Sequence, residues 1–525
     1  MESKKVVLVV DNPTRDLHGI IILALYLSNH NIKCYLVSMN ELYNNKGEEI
    51  WRICPDFVLL NYMRVNNQWL IKRLVEAQII IGVLDTEGGV LVNLESYKDT
   101  FMTNLVLARN ISVYFSWGRI LGSYLVNEGL ISEKQLAVTG SPRFDFYSTP
   151  YSEITKFDKT NFFNNDNPII LINSNFPIAN PQFQTPEEEK SMLLNVFSMN
   201  PSDVDQMIGN QQKALDEFLK VSLELAGDYP EINFIFRPHP FENEKIYRSK
   251  FLNKPNIHIS KEGQVLNQIA KSVLILHRSC STAIEAQLIG KPAFSLKWVP
   301  CFKEQPLSEA VSIGCGNYQE LKSNIDSVLN DTFVLPLEIH AQLEKIGKDW
   351  FSGFDGNAHS RVGNVIVKTA FTEEKPPLSR SVAEYKRATQ YSFKDRFKGI
   401  LYLILNLQFN WSLKSYLKGQ KQAKDPVYSL SARERILLFY TYLFNFNKRK
   451  IFFGLNGINR IQKQLWMSSE KNFNADQVKR ISEKIIKIQK NDPDAVSIRA
   501  SSFPDFVLGE GDGSSVIIEQ LGYGK

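Results

Sequence analysis

What this chain lacks narrows the field first. It holds 5 cysteines in 525 residues, none at C-x-x-C spacing, so neither a disulfide framework nor a zinc ribbon organises it, and a reducing compartment is the expectation. No apolar run reaches the roughly 18 residues that a bilayer-spanning helix needs. The first such run, Val6–Val10, meets Asp11 and Pro13 at once and reads as a strand rather than a secretory signal. A G-x-x-x-x-G-K-[ST] string is missing, which counts against a P-loop kinase or ATPase. No G-x-G-x-x-G follows the first strand, which counts against a nicotinamide enzyme. Without H-E-x-x-H or clustered His and Cys, no metal and no cofactor is expected.

What is present is a globular composition, 43% hydrophobic and 11% aromatic, long enough for about three domains. The net charge of +5 is unevenly spread: residues 376–490 carry 23 Lys and Arg against 7 Asp and Glu. That excess calls for an anionic partner. Its cations alternate with large apolar residues rather than with Gly or Ser, as in Phe397–Trp411 and Ile436–Phe446. This suits a membrane surface and not nucleic acid. An ordinary helical bundle is the plain alternative.

Short apolar strands separated by helical patterns run from Val6 to about residue 150. They include Lys33–Val37, Phe57–Asn61, Ile79–Leu84 and Ile111–Phe115. Residues 148–167, rich in Pro, Asn and Asp, read as an interdomain crossing. A second set follows: Ile169–Asn173, Asn233–Arg237, Ile257–Ile259, Val273–Leu276 and Ala293–Ser295, with a long helix at Asn210–Tyr229 and a shorter one at Thr282–Ile289. The expected division is 1–150, 165–370, a basic, mainly helical segment at 376–490 and a flexible tail at 491–525. The fold class is α/β, with two doubly wound domains facing a cleft.

Three strings carry chemistry. Arg237-Pro238-His239-Pro240 follows a strand; its prolines fix the exit direction, and its cation and imidazole suit a phosphate. His277 to Thr282 form a turn ahead of a helix, where Ser279, Ser281 and Thr282 offer hydroxyls to an anion and Glu285 suits a ribose diol. Asp85-Thr86-Glu87-Gly88-Gly89 ends a buried strand in the first half, where a carboxylate can act as general base towards a hydroxyl. A structural His, a helix cap and a charged turn are the respective plain alternatives. Arg143, in G-S-P-R-F-D, and Asn173 with Asn175 are weaker candidates for lining the cleft.

Together these strings resemble the bacterial surface-carbohydrate biosynthesis proteins and, more distantly, the capsule sialyl- and Kdo-transferases. The matching marks are Glu87-Gly88, His239-Pro240 and Ser281-Thr282. The resemblance covers about residues 5–370. It implies a glycosyltransferase B-type fold, Glu87 or Asp85 as the catalytic carboxylate, and His239, Ser281 and Thr282 on the phosphate and ribose of a CMP-linked nonulosonate or Kdo-type donor. One departure stands out: Thr86 separates the two acids that the sialyltransferase pattern keeps adjacent. The expectation is a cytoplasmic transferase, peripheral at the inner face of the membrane, acting on a glycan or lipid-linked acceptor. A CDP-glycerol-type polyol-phosphate transferase, a nucleotide-sugar 2-epimerase and a non-catalytic scaffold remain alternatives.

Overall fold

The protein is described here from a computed structural model. It covers residues 4–372, save scattered positions between 45 and 54 and at 90–92, 103, 196–199 and 302–303, together with 471–501 and 515–520. Two sheets dominate. In the first, β1 (Lys4–Val10), β2 (Ile32–Ser38), β3 (Phe57–Leu60), β4 (Ile80–Leu84), β5 (Val113–Ser116) and β6 (Leu136–Val138) run parallel in the order β2-β1-β3-β4-β5-β6. In the second, β7 (Ile169–Asn173), β8 (Asn233–Arg237), β9 (Ile257–Ile259), β10 (Leu274–His277), β11 (Ala293–Leu296) and β12 (Ile313–Cys315) run parallel in the order β12-β11-β10-β7-β8-β9.

The apolar strands explain themselves by burial on both faces. Val6, Leu8 and Val10 of β1 enter one core layer, whereas Val7 and Val9 enter the layer on the opposite face. Such two-sided burial is what continuous apolar runs in a parallel sheet require. Strand order reverses between β1 and β3 in the first sheet and between β7 and β10 in the second. At such switch points the helices diverge to opposite faces and leave a crevice beyond the strands' carboxyl ends. The expected fold class holds: two doubly wound domains face one cleft, the glycosyltransferase B-type arrangement. No helix among the described residues is long and apolar enough to cross a membrane.

The helix Pro13–Ser28 begins right after the first strand's loop, because the Asn12 side chain accepts from Thr14 N and Pro13 takes the first position. It packs against Pro142–Tyr147, the segment that leads into the interdomain crossing, so closely that a Cβ on Gly19 would stand 2.7 Å from Arg143 N. Asp145 of that segment receives the backbone N–H groups of Ala358 (2.9 Å) and His359 (2.8 Å), which starts the helix Ala358–Thr372. That helix returns the chain to the first domain and lies on Pro13–Ser28, with Gly363 against Tyr26.

The C-terminal division needs correction. Residues 491–525 were expected to form a flexible tail, yet β14 (Val516–Gln520) pairs antiparallel with β2, and β13 (Val496–Ala500) pairs with β14. The helix Ala475–Gln489 puts Val478, Ile481, Ile485 and Ile486 into the first domain's core. The short apolar run V-I-I and the alternation in V-S-I were masked by the neighbouring glycines and acids. The remainder of the basic segment, 376–470, with Phe397–Trp411 and Ile436–Phe446, lies outside the described residues, as does G-E-G-D-G-S.

Candidate functional site

The carboxyl end of β4 delivers Asp85 and Glu87 into the cleft wall, with different surroundings. Asp85 is 2% exposed; it accepts from Arg64 Nη2 (3.1 Å), Tyr97 Oη (2.7 Å) and Glu87 N (2.8 Å). Burial pushes its carboxyl up, against the pull of Arg64. The Glu87 side chain is 49% exposed and sits 2.8 Å from Arg64 Nη2 and 3.4 Å from Arg15 Nη1. Burial acts upward there too, but the two guanidinium groups hold it below the usual glutamate range. Of the two acids, Glu87 is the one that another molecule can reach, and Asp85 shapes its loop. The glycines that follow are explained by Trp117: a Cβ on Gly89 would meet its ring at 2.6 Å and one on Gly88 at 3.2 Å.

Across the cleft, β8 ends in Arg237. Its Nη1 and Nη2 donate to the carbonyls of Glu262 (3.3 Å) and Gly263 (3.0 Å), and among the described residues no carboxylate lies within ion-pair distance of it. Burial draws its pKa down to about 10, despite the Glu285 charge nearby. A half-buried cation that binds only carbonyls has capacity left for an anion. His239 Nδ1 accepts from Phe241 N (3.3 Å), which places the ring proton on Nε2. Burial and then Lys261 lower its pKa to about 4, so the imidazole is neutral, and the Glu87 charge is felt at it from the opposite wall. Pro240 is exposed and serves the turn itself.

The β10 turn divides the remaining candidates. Ser281 is half-buried and its hydroxyl has no hydrogen-bond partner among the described residues, while Thr282 Oγ1 accepts from Asn173 Nδ2 (3.0 Å) across the second switch point. Asn175 is half-buried in the loop after β7. Ser281 or Thr282 is the natural cap of this helix in sequence; Ser281 holds that position, but its backbone is helical and its side chain makes no cap bond.

The structure commits four of the candidates to contacts within the protein. His277 is fully buried; its Nε2 meets Ser312 Oγ at 2.9 Å and its Nδ1 accepts from Cys280 N at 3.3 Å, so both nitrogens are spent inside the domain. Ser279, at φ +54°, accepts from Gln305 N (2.6 Å) and gives its own N–H to Glu309 (2.8 Å). Glu285 is 1% exposed and bound by two groups of the first domain's Pro142–Tyr147 segment, Arg143 and Tyr147 Oη (2.6 Å). It joins the domains instead of awaiting a ribose, and Arg143 is spent on it.

Several residues went unseen. Glu242, fully buried, accepts from Ser174 Oγ (2.5 Å), Tyr247 Oη (2.5 Å) and Phe176 N, tying the His239 loop to the loop after β7. Burial pushes its carboxyl up. The one signal was an acid two residues after H-P. His18, in contact with Gln264 of the second domain, and the cations Arg15 and Arg64 gave no motif at all.

No protein-family model and no curated protein matches the chain. Among solved structures it is similar to a putative UDP-N-acetylglucosamine 2-epimerase from Listeria monocytogenes. The identity is 17% and the TM-score 0.46, over 71% of this chain and 98% of that one. It is also similar to the wall teichoic acid polymerase TagF (12% identity, TM-score 0.47, 70% and 90% covered). A third is a glycosyltransferase from Rickettsia africae (13% identity, TM-score 0.37, 71% and 100% covered).

Proposed function

We propose that this chain is a metal-independent glycosyltransferase. It moves a sugar of the nonulosonate or Kdo type from a CMP-activated donor to a hydroxyl of a glycan or lipid-linked acceptor in surface-polysaccharide assembly. One observation carries the reading: a cation and a neutral imidazole without an anionic partner, Arg237 and His239, stand opposite the accessible, ionised Glu87. In the reaction the acceptor oxygen bonds to the anomeric carbon, the anomeric carbon–phosphate oxygen bond breaks, and CMP leaves with the electron pair. Glu87 takes the acceptor's proton. Arg237 and the Nε2–H of His239 receive charge developing on the phosphate, and their fixed positions make that stabilisation available without reorganisation. Ser281 and Asn175 would complete the donor pocket, with the Asn173–Thr282 hydrogen bond bracing it. Residues 376–470 would hold the enzyme at an anionic membrane surface.

Calorimetry against CMP, CDP, UDP and GDP tests the donor class. CMP is expected to bind, and Arg237→Gln or His239→Gln to weaken it by about tenfold to a hundredfold, the worth of a hydrogen bond to a charged group. Release of CMP from a CMP-sugar completes the case. Turnover of CDP-glycerol, or interconversion of a UDP-sugar with its 2-epimer, would replace it.

A further inference from the structure

A cavity of about 30 Å³ lies beneath the Asp85–Thr86 turn, at the carboxyl ends of β1, β3 and β4, and thus at the first sheet's switch point. Its apolar wall comes from Val9, Leu59 and Leu84. Two of its lining side chains are polar, almost fully buried and without hydrogen-bond partners among the described residues. Asn61 is 2% exposed with both its amide nitrogen and its amide oxygen unmatched; Trp117 is 1% exposed with its indole N–H unmatched. Buried polar atoms are paired in almost every folded protein, so two unpaired groups around one cavity point to an occupant.

The charges around the cavity say what kind. Asp16 is paired with Arg15 (2.7 Å), Asp85 with Arg64 (3.1 Å), and Arg143 with Glu285. What remains unmatched is neutral: one carbonyl acceptor, one amide donor and one indole donor. A hydroxyl both donates and accepts, and so answers this set where an anion or a cation would not. At ~10–15 Å³ per water-sized sphere, the cavity takes roughly two heavy atoms and excludes a sugar ring.

We infer that this cavity seats a hydroxymethyl arm of the acceptor, held between Asn61 and Trp117. The inference rests on the transferase reading and deepens it: Glu87 follows directly on the turn that roofs the cavity, so an arm seated there sets the neighbouring acceptor hydroxyls beside Glu87. Acceptors would be sugars or polyols with a free primary alcohol.

Methyl β-glucopyranoside and methyl β-xylopyranoside, which differ by the hydroxymethyl group alone, provide the test. The probe signal is the Trp117 indole N–H resonance of the ¹⁵N-labelled full chain, identified by its loss in Trp117→Phe. The glucoside and glycerol are expected to shift it saturably, the xyloside at least tenfold more weakly. Asn61→Leu should abolish the response while leaving nucleotide affinity unchanged. No shift with either hydroxymethyl compound, or an equal shift with the xyloside, overturns the proposal, and this comparison needs no variant to fold. A bound water alone would give that silent result. Nucleotide titrated into the same sample separates the two ideas. Nucleotide binding with a silent indole sinks only the acceptor pocket, whereas a responding indole without nucleotide binding sinks only the donor reading.

Discussion

The Arg64 guanidinium lies 2.8 Å from the Glu87 carboxylate, and the same nitrogen stands 3.1 Å from Asp85. One cation therefore serves two acids of different accessibility, and removing either acid has a different consequence. Glu87→Gln keeps the shape of an exposed side chain and removes the proton acceptor. Turnover should fall about a hundredfold to ten-thousandfold with melting temperature and nucleotide affinity retained. Asp85→Asn instead removes a buried acceptor shared by Arg64, Tyr97 and the Glu87 N–H, while Arg64 keeps Glu87, and should cost about 1–3 kcal/mol of stability. Melting curves alongside single-turnover rates separate the two; undiminished turnover in Glu87→Gln would remove it as the base.

Three imidazoles give a sign to the pH dependence. Burial lowers His18 to about 3 and His239 and His277 to about 4, from an ordinary 6.5. Between those values each of these imidazoles binds more protons in the unfolded chain than in the folded one. Their contribution to stability is therefore present above 6.5 and is lost as the pH is lowered towards 4, whereas the buried Asp85 and Glu242 carboxyls, raised by burial, act in the opposite sense. Comparing the thermal midpoints of the chain and of His18→Asn across this window isolates one such contribution: the variant's midpoint should fall less steeply with pH, and equal slopes would contradict the burial. Activity should show no ionisation near 6.5 from His239, and its acid limb should lie below 4.5 because Glu87 is held down by Arg64 and Arg15. A histidine-like limb near 6.5 would mean that His239 opens to solvent during turnover.

The strands and the R-P-H-P and D-T-E-G-G strings were legible because each depends on local signals: apolar runs bounded by Pro, Gly or Asp. What pairs with what was not. Glu285 looked like a free carboxylate on a helix, and its partners Arg143 and Tyr147 stand 142 and 138 residues away. His277 carries the same chemistry as His239, yet it is the last residue of β10, central in its sheet, and is buried there, whereas His239 lies two residues past the end of β8. The final strand, Val516–Gln520, pairs with Cys34, Tyr35 and Leu36, a separation that no local pattern announces.

Gly89 offers a test of the loop beneath the acids. Its added Cβ would lie 2.6 Å from Cε3 of Trp117 and 3.2 Å from Phe351, and both rings are packed, so neither yields cheaply. Gly89→Ala should lower stability by about 1–3 kcal/mol, the usual cost of overpacking. Gly209→Ala, where the new Cβ meets nothing within 4 Å and the helix Pro201–Asp228 is undisturbed, should be neutral or stabilising by up to about 1 kcal/mol. Denaturant midpoints for the pair report whether Trp117 fixes the loop; equal midpoints would say that it does not.

The pair Arg143–Glu285 joins the domains through buried charge, with Glu285 1% and Arg143 16% exposed. A buried ion pair adds little over an apolar replacement, but leaving one member alone is costly. Arg143→Met leaves the buried Glu285 carboxylate with the Tyr147 hydroxyl and the Arg237 charge beyond ion-pair distance, and should lower stability by about 3 kcal/mol. The double replacement Arg143→Met with Glu285→Met should recover most of that loss, because the surrounding core, which includes Phe144, Ala283 and Ile284, accepts apolar side chains. Urea unfolding of both single variants and the double one closes the cycle. Strongly positive coupling is expected, and simple additivity would show that each side chain is satisfied without the other.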